Sequence, residues 1–302
     1  MIPFDSLSIR LLRIGALSIL LFSHSPIELQ AQIKPSRTVF TEPLDVRTDP
    51  GVAADAWFAA EAVRGWGSYQ DEQAWQYRLH GYIEPYRFGD DSTAMFTTSF
   101  NFHHELTASP HNDLGFDPRT ARWEESLLFH ARIAPFTLQT GWFHRCKHEI
   151  DDVQRRTLII SGPTVIGVTP TIETPLGAIR IQGGAEYYVV REDYRDSAAP
   201  RTGSWEDLRG AIWLRGEARW PLGERSRLSG SYYISFPFFD SRNGAPEDIV
   251  VAHEAHAELA LTFFSKRTAI SIIVGADHTW DEVALVTAEP TTSLQAGLRV
   301  GL

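Results

Sequence analysis

From Thr291 to Leu302 the chain alternates without a break. Leu294, Ala296, Leu298, Val300 and Leu302 fall on one side of an extended strand, and Ser293, Gln295, Gly297, Arg299 and Gly301 on the other. Successive side chains of a strand point to opposite faces, so this segment is apolar on one face and polar on the other. The same stencil recurs in segments of about ten residues, the length a tilted strand needs to cross a bilayer. It predicts strands over 55–66, 77–88, 92–104, 121–133, 136–148, 156–169, 177–190, 207–220, 227–239, 249–264, 268–281 and 291–302. Alternation is cleanest in 92–104, 177–190, 207–220, 249–264 and 268–281, and poorest in 55–66 and 156–169. The fold expected is all-β, an antiparallel transmembrane barrel of about twelve strands.

The connections carry a second pattern. Gly89-Asp-Asp91, Ala134-Pro135, Pro170 to Leu176, Pro221 to Ser226 and Ser265-Lys-Arg267 are short and turn-like. Between them lie longer polar links at 67–76, 105–120, 149–155, 191–206, 240–248 and 282–290. Short and long alternate along the whole chain, as they do when one rim of a barrel carries tight turns and the other long loops. An even strand count places both ends of the barrel at the short-turn rim. A soluble barrel or sandwich binding module also alternates, but with its apolar face turned inward.

Residues 1–31 read as an export signal. Arg10 and Arg13 precede a short apolar core, Ile14 to Phe22, and Leu29-Gln30-Ala31 offers a cleavage site. Residues 32–54, with Pro35, Pro43 and Pro50, read as an irregular lead-in to a barrel at 55–302. The expected location is therefore a Gram-negative outer membrane. Membrane lipid, lipopolysaccharide and the barrel-assembly machinery are the expected partners. Outer-membrane barrels generally finish on an aromatic residue, whereas this chain finishes on Leu302. The net charge of −10 argues against nucleic acid, which demands clustered Lys and Arg. One cysteine, Cys146, leaves no internal disulfide. Nine Trp, among them Trp142, Trp220 and Trp280, suit the two membrane–water interfaces.

The polar faces gather charge of both signs. Arg78, His80, Glu84, Glu124, His130 and Arg132 belong to this interior set. Its densest part is Arg180, Glu186, Arg215, Glu217, Arg219, Glu254, His256, Glu258 and Asp277. In a narrow barrel such groups either pair and fill the lumen or line a path for small polar solutes. Pairing is the expectation, with Glu217, Glu254 and Glu258 each finding a basic or hydrogen-bonding partner. No cofactor is expected and no metal. His103–His104 and His253–His256 lack recognised ligand spacing, and His144 and His148 stand roughly 13 Å apart on an extended strand.

The densest local cluster is Phe143-His144-Arg145-Cys146-Lys147-His148-Glu149-Ile150-Asp151-Asp152. It resembles a Tyr-His-Gln-Ser-Ser-His-Leu-Gly-Asp-Glu stretch of an uncharacterised bacterial outer-membrane family. Phe40 to Pro50 is similar to that family's Phe-x-x-Leu-x-Ala-Asp-Pro opening. His144, His148 and Asp151 match, and Cys146 and Lys147 replace the two serines. The resemblance implies a barrel and its location, but no activity. A weaker similarity, to outer-membrane phospholipase A, implies a Ser nucleophile, a His base and an orienting Asn on the lipid side. Alternation turns His144 outward, yet no Ser lies two positions away from it. The weak catalytic candidates are His144, Cys146, His148 and Asp151. The reading favoured is a non-enzymatic barrel, structural or a narrow conduit, with a lipid-modifying hydrolase as the rival. The discriminating feature is a Ser, Thr or Cys within hydrogen-bond reach of an outward His.

Overall fold

The computed structural model describes residues 55–67, 74–89, 95–109, 117–133, 135–150, 157–194, 208–239, 254–265, 268–279 and 291–301. The signal segment, the lead-in, Asp151, His253, Trp280 and Leu302 lie outside these. The strands are β1 Asp55–Gly67, β2 Trp75–Gly89, β3 Met95–Ser109, β4 Asp117–Ile133, β5 Phe136–Glu149, β6 Thr157–Val168, β7 Ile172–Thr174, β8 Gly177–Tyr187, β9 Val190–Tyr194, β10 Leu208–Gly223, β11 Ser226–Phe239, β12 Glu254–Phe264, β13 Ala269–Thr279 and β14 Thr291–Gly301. Short β7 carries on the path of β6 against β8, and β9 carries on that of β8 against β6. The sheet therefore has twelve staves.

Sequence neighbours pair antiparallel all the way round, and β14 closes on β1 with Glu61 opposite Arg299 and Ala60 opposite Val300. Closure leaves no edge strand, the condition for placing a sheet in hydrocarbon. The described short turns stand at the rim where β1 begins and β14 ends. Thr174 to Gly177 makes one of them: the Leu176 amide donates to Thr174 Oγ1 at 3.3 Å, and Gly177 takes a φ of 149°.

The faces follow the alternation. Phe96, Phe100, Ile179, Ile181, Ile212, Leu214, Leu259, Phe263, Ile270, Ile272, Leu294 and Leu298 are exposed on the outside. Thr97, Ser99, Asn101, Arg180, Gln182, Glu186, Arg215, Glu217, His256 and Glu258 are buried inside. This is the inverse of a soluble barrel, whose apolar face would point inward. Leu214, midway along β10 and 52% exposed, sits in that outward band. A Leu214→Arg substitution should cost about 2–4 kcal/mol, since a lipid-facing guanidinium loses its hydration there. Urea-induced unfolding of the lipid-reconstituted chain measures it; a change below about 0.5 kcal/mol would place the residue in water instead.

Prolines mark several irregularities, because proline has no N–H for the ladder. Pro85 lies in the register shift between Ile83 and Tyr86, and Pro221 in the shift before Gly223. Pro163 lies between the pairs Ser161↔Val190 and Thr164↔Glu186, where Gly162-Pro163 faces the three residues Tyr187 to Val189. The extra residue of that bulge lies on the β8–β9 side, and 156–169 alternates poorly because its buried face is itself apolar, with Ile160, Ile166 and Val168. Elsewhere the strands outrun the stencil. The link expected over 105–120 is instead largely ladder, with Glu105 opposite Arg122 and Thr107 opposite Thr120. Glu105, Thr107 and Ser109 keep the inward parity and Leu106 and Ala108 the outward one, so β3 continues past the predicted end at His104.

Candidate functional site

Seen from inside, the lumen is a set of buried charge networks. Arg299 on β14 is the hinge of the largest. Its Nε donates to Glu61 at 2.6 Å and its NH2 group to Glu258 at 2.7 Å, and each of the three residues is less than a tenth exposed. Glu61 also meets His80 at 3.1 Å and Arg78 at 3.5 Å. Arg78 reaches on to Glu105 at 2.7 Å and to Gln295 at 3.2 Å. Gln295 bonds Asp277, which bonds His256. One chain of contacts thus runs from β3 to β12 across five interstrand steps. Charges desolvated to this degree hold only when paired and hydrogen-bonded.

Two further networks complete the ring. Glu217 accepts from Arg180 and from Arg219, both at 2.9 Å. Arg145 on β5 donates to Glu124 at 2.9 Å and reaches Glu186 of β8 at 3.5 Å, spanning β6. Glu186 also accepts from the Tyr188 hydroxyl at 3.3 Å. Arg215 feels Glu217 of its own row Arg215-x-Glu217-x-Arg219 and Glu258 of the row Glu254-x-His256-x-Glu258, along with the like charges of Arg219 and Arg299. Those rows do not pair simply with each other: Glu217 and Glu258 take their closest partners from β8, β10 and β14.

An apolar layer lies among these charges. Leu128 of β4, Ile166 and Val168 of β6, Trp213 of β10 and Tyr233 of β11 form one buried cluster. Leu128 and Tyr233 stand on staves five places apart around the wall, so the cluster bridges the lumen. Trp213 lies over Gly184, where a Cβ would stand 2.5 Å from the indole. Glycine at 184 makes room for the ring.

The outward wall tells a separate story on β3 to β6, in the half toward the long-loop rim. Alternation turns His144 outward, and the structure brings it against Ser161 of β6. The two are cross-strand partners, with His144 Nδ1 and Ser161 Oγ 2.7 Å apart. On the opposite flank of His144 its partner on β4 is Glu125, whose carboxylate also meets His104 Nε2 at 3.4 Å. His148 repeats the arrangement one step higher, with Nδ1 3.0 Å from Thr157 Oγ1 and its ring 4.7 Å from that of Trp123. Cys146 is buried between its cross-strand partners Trp123 and Ile159. Trp142, on the same face, is exposed. Among the described residues no three His, Cys, Asp or Glu side chains converge to hold a metal ion. His103 and His104 face opposite sides of the wall: His103 is inside, 2.8 Å from His80, while His104 is outside.

Sequence reasoning did not find Ser161, Glu125, Glu61 or Trp213 as site residues. Ser161 and Glu61 belong to the two segments whose alternation was poorest. Register is what reveals them, because the partner of His144 is set by the β5–β6 hairpin and not by spacing along one strand.

No family model matches the chain, and no curated protein does. Solved structures match in shape. The translocator domain of autotransporter NalP from Neisseria meningitidis is similar at 9% identity and TM-score 0.39, over 85% of this chain and 90% of that one. The NanC porin is similar at 9% identity and TM-score 0.43, over 80% of this chain and 98% of its own. Outer membrane phospholipase A from Escherichia coli is similar at 12% identity and TM-score 0.42, over 84% of this chain and 94% of its own. A shared fold does not bring a shared function. What this chain has in common with them is the antiparallel β-barrel.

Proposed function

We infer that the chain is an exported outer-membrane barrel of structural role, whose lumen passes at most small polar solutes. The observation that carries this reading is Arg299 held between Glu61 and Glu258, all buried, within a network that spans six strands. Groups lining an open aqueous channel would be solvated and would not need such partners. The outward apolar band supports residence in a bilayer, with the long-loop rim outside and the short-turn rim in the periplasm. Lipid, lipopolysaccharide and the assembly machinery are then the partners of the wall.

Planar-bilayer recording of the purified chain tests the reading. The wild type should show no large, steady conductance steps. Arg215→Ala should raise conductance or destabilise the barrel, because it strips a cation from between Glu217 and Glu258. Large open-channel steps from the wild type would replace the closed barrel by a conduit, and recovery of the protein in the soluble periplasm would remove both.

A further inference from the structure

At the short-turn mouth of the lumen we propose a binding site for a small oxyanion, a phosphate or carboxylate group, built on Arg227 of β11 with Thr262 of β12 and Ser271 of β13. It rests on the proposed function only in taking this face of the sheet as the interior of a barrel. It holds whether or not solute crosses mid-height. Arg227 is the second residue of β11, paired with Pro221 of β10 and Thr262 of β12. Its side chain turns inward and is 4% exposed. Arg78, Arg145, Arg180 and Arg299 each meet a carboxylate at 2.6–2.9 Å. Among the described residues Arg227 meets none, and its buried Nε has no hydrogen-bond partner.

The charges around Arg227 do not make good that lack. The like charge of Arg219, diagonally across the β10–β11 ladder, acts on it more strongly than the opposite charge of Glu217. Glu217 is itself engaged by Arg180 and Arg219. A guanidinium withdrawn from water and repelled by its neighbour is costly, and an anion beside it removes that cost.

The neighbouring side chains suit such an anion. Thr262 Oγ1 and Ser271 Oγ, both buried, lie 2.9 Å apart. Their mutual bond uses one of their two hydroxyl protons, and the other has no acceptor among the described residues. Thr262 is the direct cross-strand neighbour of Arg227, and Ser271 of Thr262, so guanidinium and hydroxyls form one inward row. The Phe264 ring lies against the guanidinium, 5.0 Å from its carbon. An aromatic face steadies the plane of the fork without neutralising its charge. What this row lacks is an acceptor. Two oxygens of a phosphate or carboxylate match the planar fork of arginine, and the spare hydroxyl proton can donate to either.

The test uses the full chain folded in a non-ionic maltoside detergent and a low-chloride amine buffer. It is titrated calorimetrically with inorganic phosphate and, separately, with sodium acetate. The wild type should take up one equivalent of at least one probe with saturation, and the tighter probe tells phosphate from carboxylate. Arg227→Lys, which keeps the charge and loses the fork, should weaken binding by at least about tenfold. Arg227→Gln should abolish it. Thr262→Val, which keeps the shape and removes the hydroxyl, should weaken it by roughly three- to tenfold. The bound probe should also raise the urea midpoint of the wild type more than that of Arg227→Gln, because a ligand stabilises only a form that binds it. General stabilisation by phosphate acts on both alike.

No saturable uptake of either probe by the folded wild type overturns the site. So does uptake that the variants leave unchanged, or equal saturation by sodium chloride. Should Arg227→Gln fail to fold, Arg227→Lys and Thr262→Val carry the decision. Conductance has no part in this reading, so a conducting wild type would overturn the closed lumen and leave the anion site standing.

Discussion

Arg299→Ala should destabilise the barrel by about 3–5 kcal/mol, the cost of leaving a buried charge without its partner. Two carboxylates lose a close donor at once, and each keeps others. Glu61 keeps His80 at 3.1 Å and Arg78 at 3.5 Å. Glu258 keeps the electrostatic attraction of Arg215 and meets His256 at 4.0 Å. Adding Glu61→Gln or Glu258→Gln to Arg299→Ala should therefore recover part of the lost stability in each case. Because the residues are in contact, the effects should be far from additive. Unfolding in urea, followed by tryptophan emission in lipid vesicles, reads all three variants against the wild type. A loss below about 1 kcal/mol for Arg299→Ala would mean that water reaches these carboxylates, and with it the closed lumen would fall.

Trp213→Ala should cost about 3–5 kcal/mol, the range for removing a large buried aromatic side chain. It should also do something no ion-pair variant does. Trp213, 2% exposed, joins Leu128, Ile166, Val168 and Tyr233 across the lumen. Gly184 beneath it adds no side chain to fill the gap. The space left is bordered by buried charges on either side, so water should enter and conductance should rise in planar bilayers. Leu298→Ala, on the exposed outer face, is the control and should alter neither reading. If Trp213→Ala loses stability without gaining conductance, the ion pairs alone close the path and the apolar layer is packing only. If neither changes, the cluster does not bridge the lumen.

How far the site was legible depends on what each residue answers to. Charges on Arg180, Glu186, Glu217 and His256 could be placed inside by parity alone, because each sits in a strand that alternates cleanly. His144 could be placed outside in the same way. Ser161 could not. Ile160, Ile166 and Val168 of β6 are apolar yet buried, so the segment carries apolar residues on both faces and offered no dependable one. Nor does spacing along one strand show which residue of the next strand lies opposite.

The sequence by itself determined the class of fold, since only a strand has a period of two, and only a barrel lets such strands turn apolar faces outward with no free edge. Its loop lengths also determined which rim is which. Tertiary structure decided the partners. Antiparallel register placed Arg299 against Glu61, and curvature brought Glu258 within reach of the same guanidinium. Closure let Leu128 and Tyr233 meet in one cluster from strands separated by about a hundred residues of chain. The physical reason is range: alternation is a local property of the backbone, whereas the pairing of buried charges depends on interstrand register and the radius at which the sheet closes.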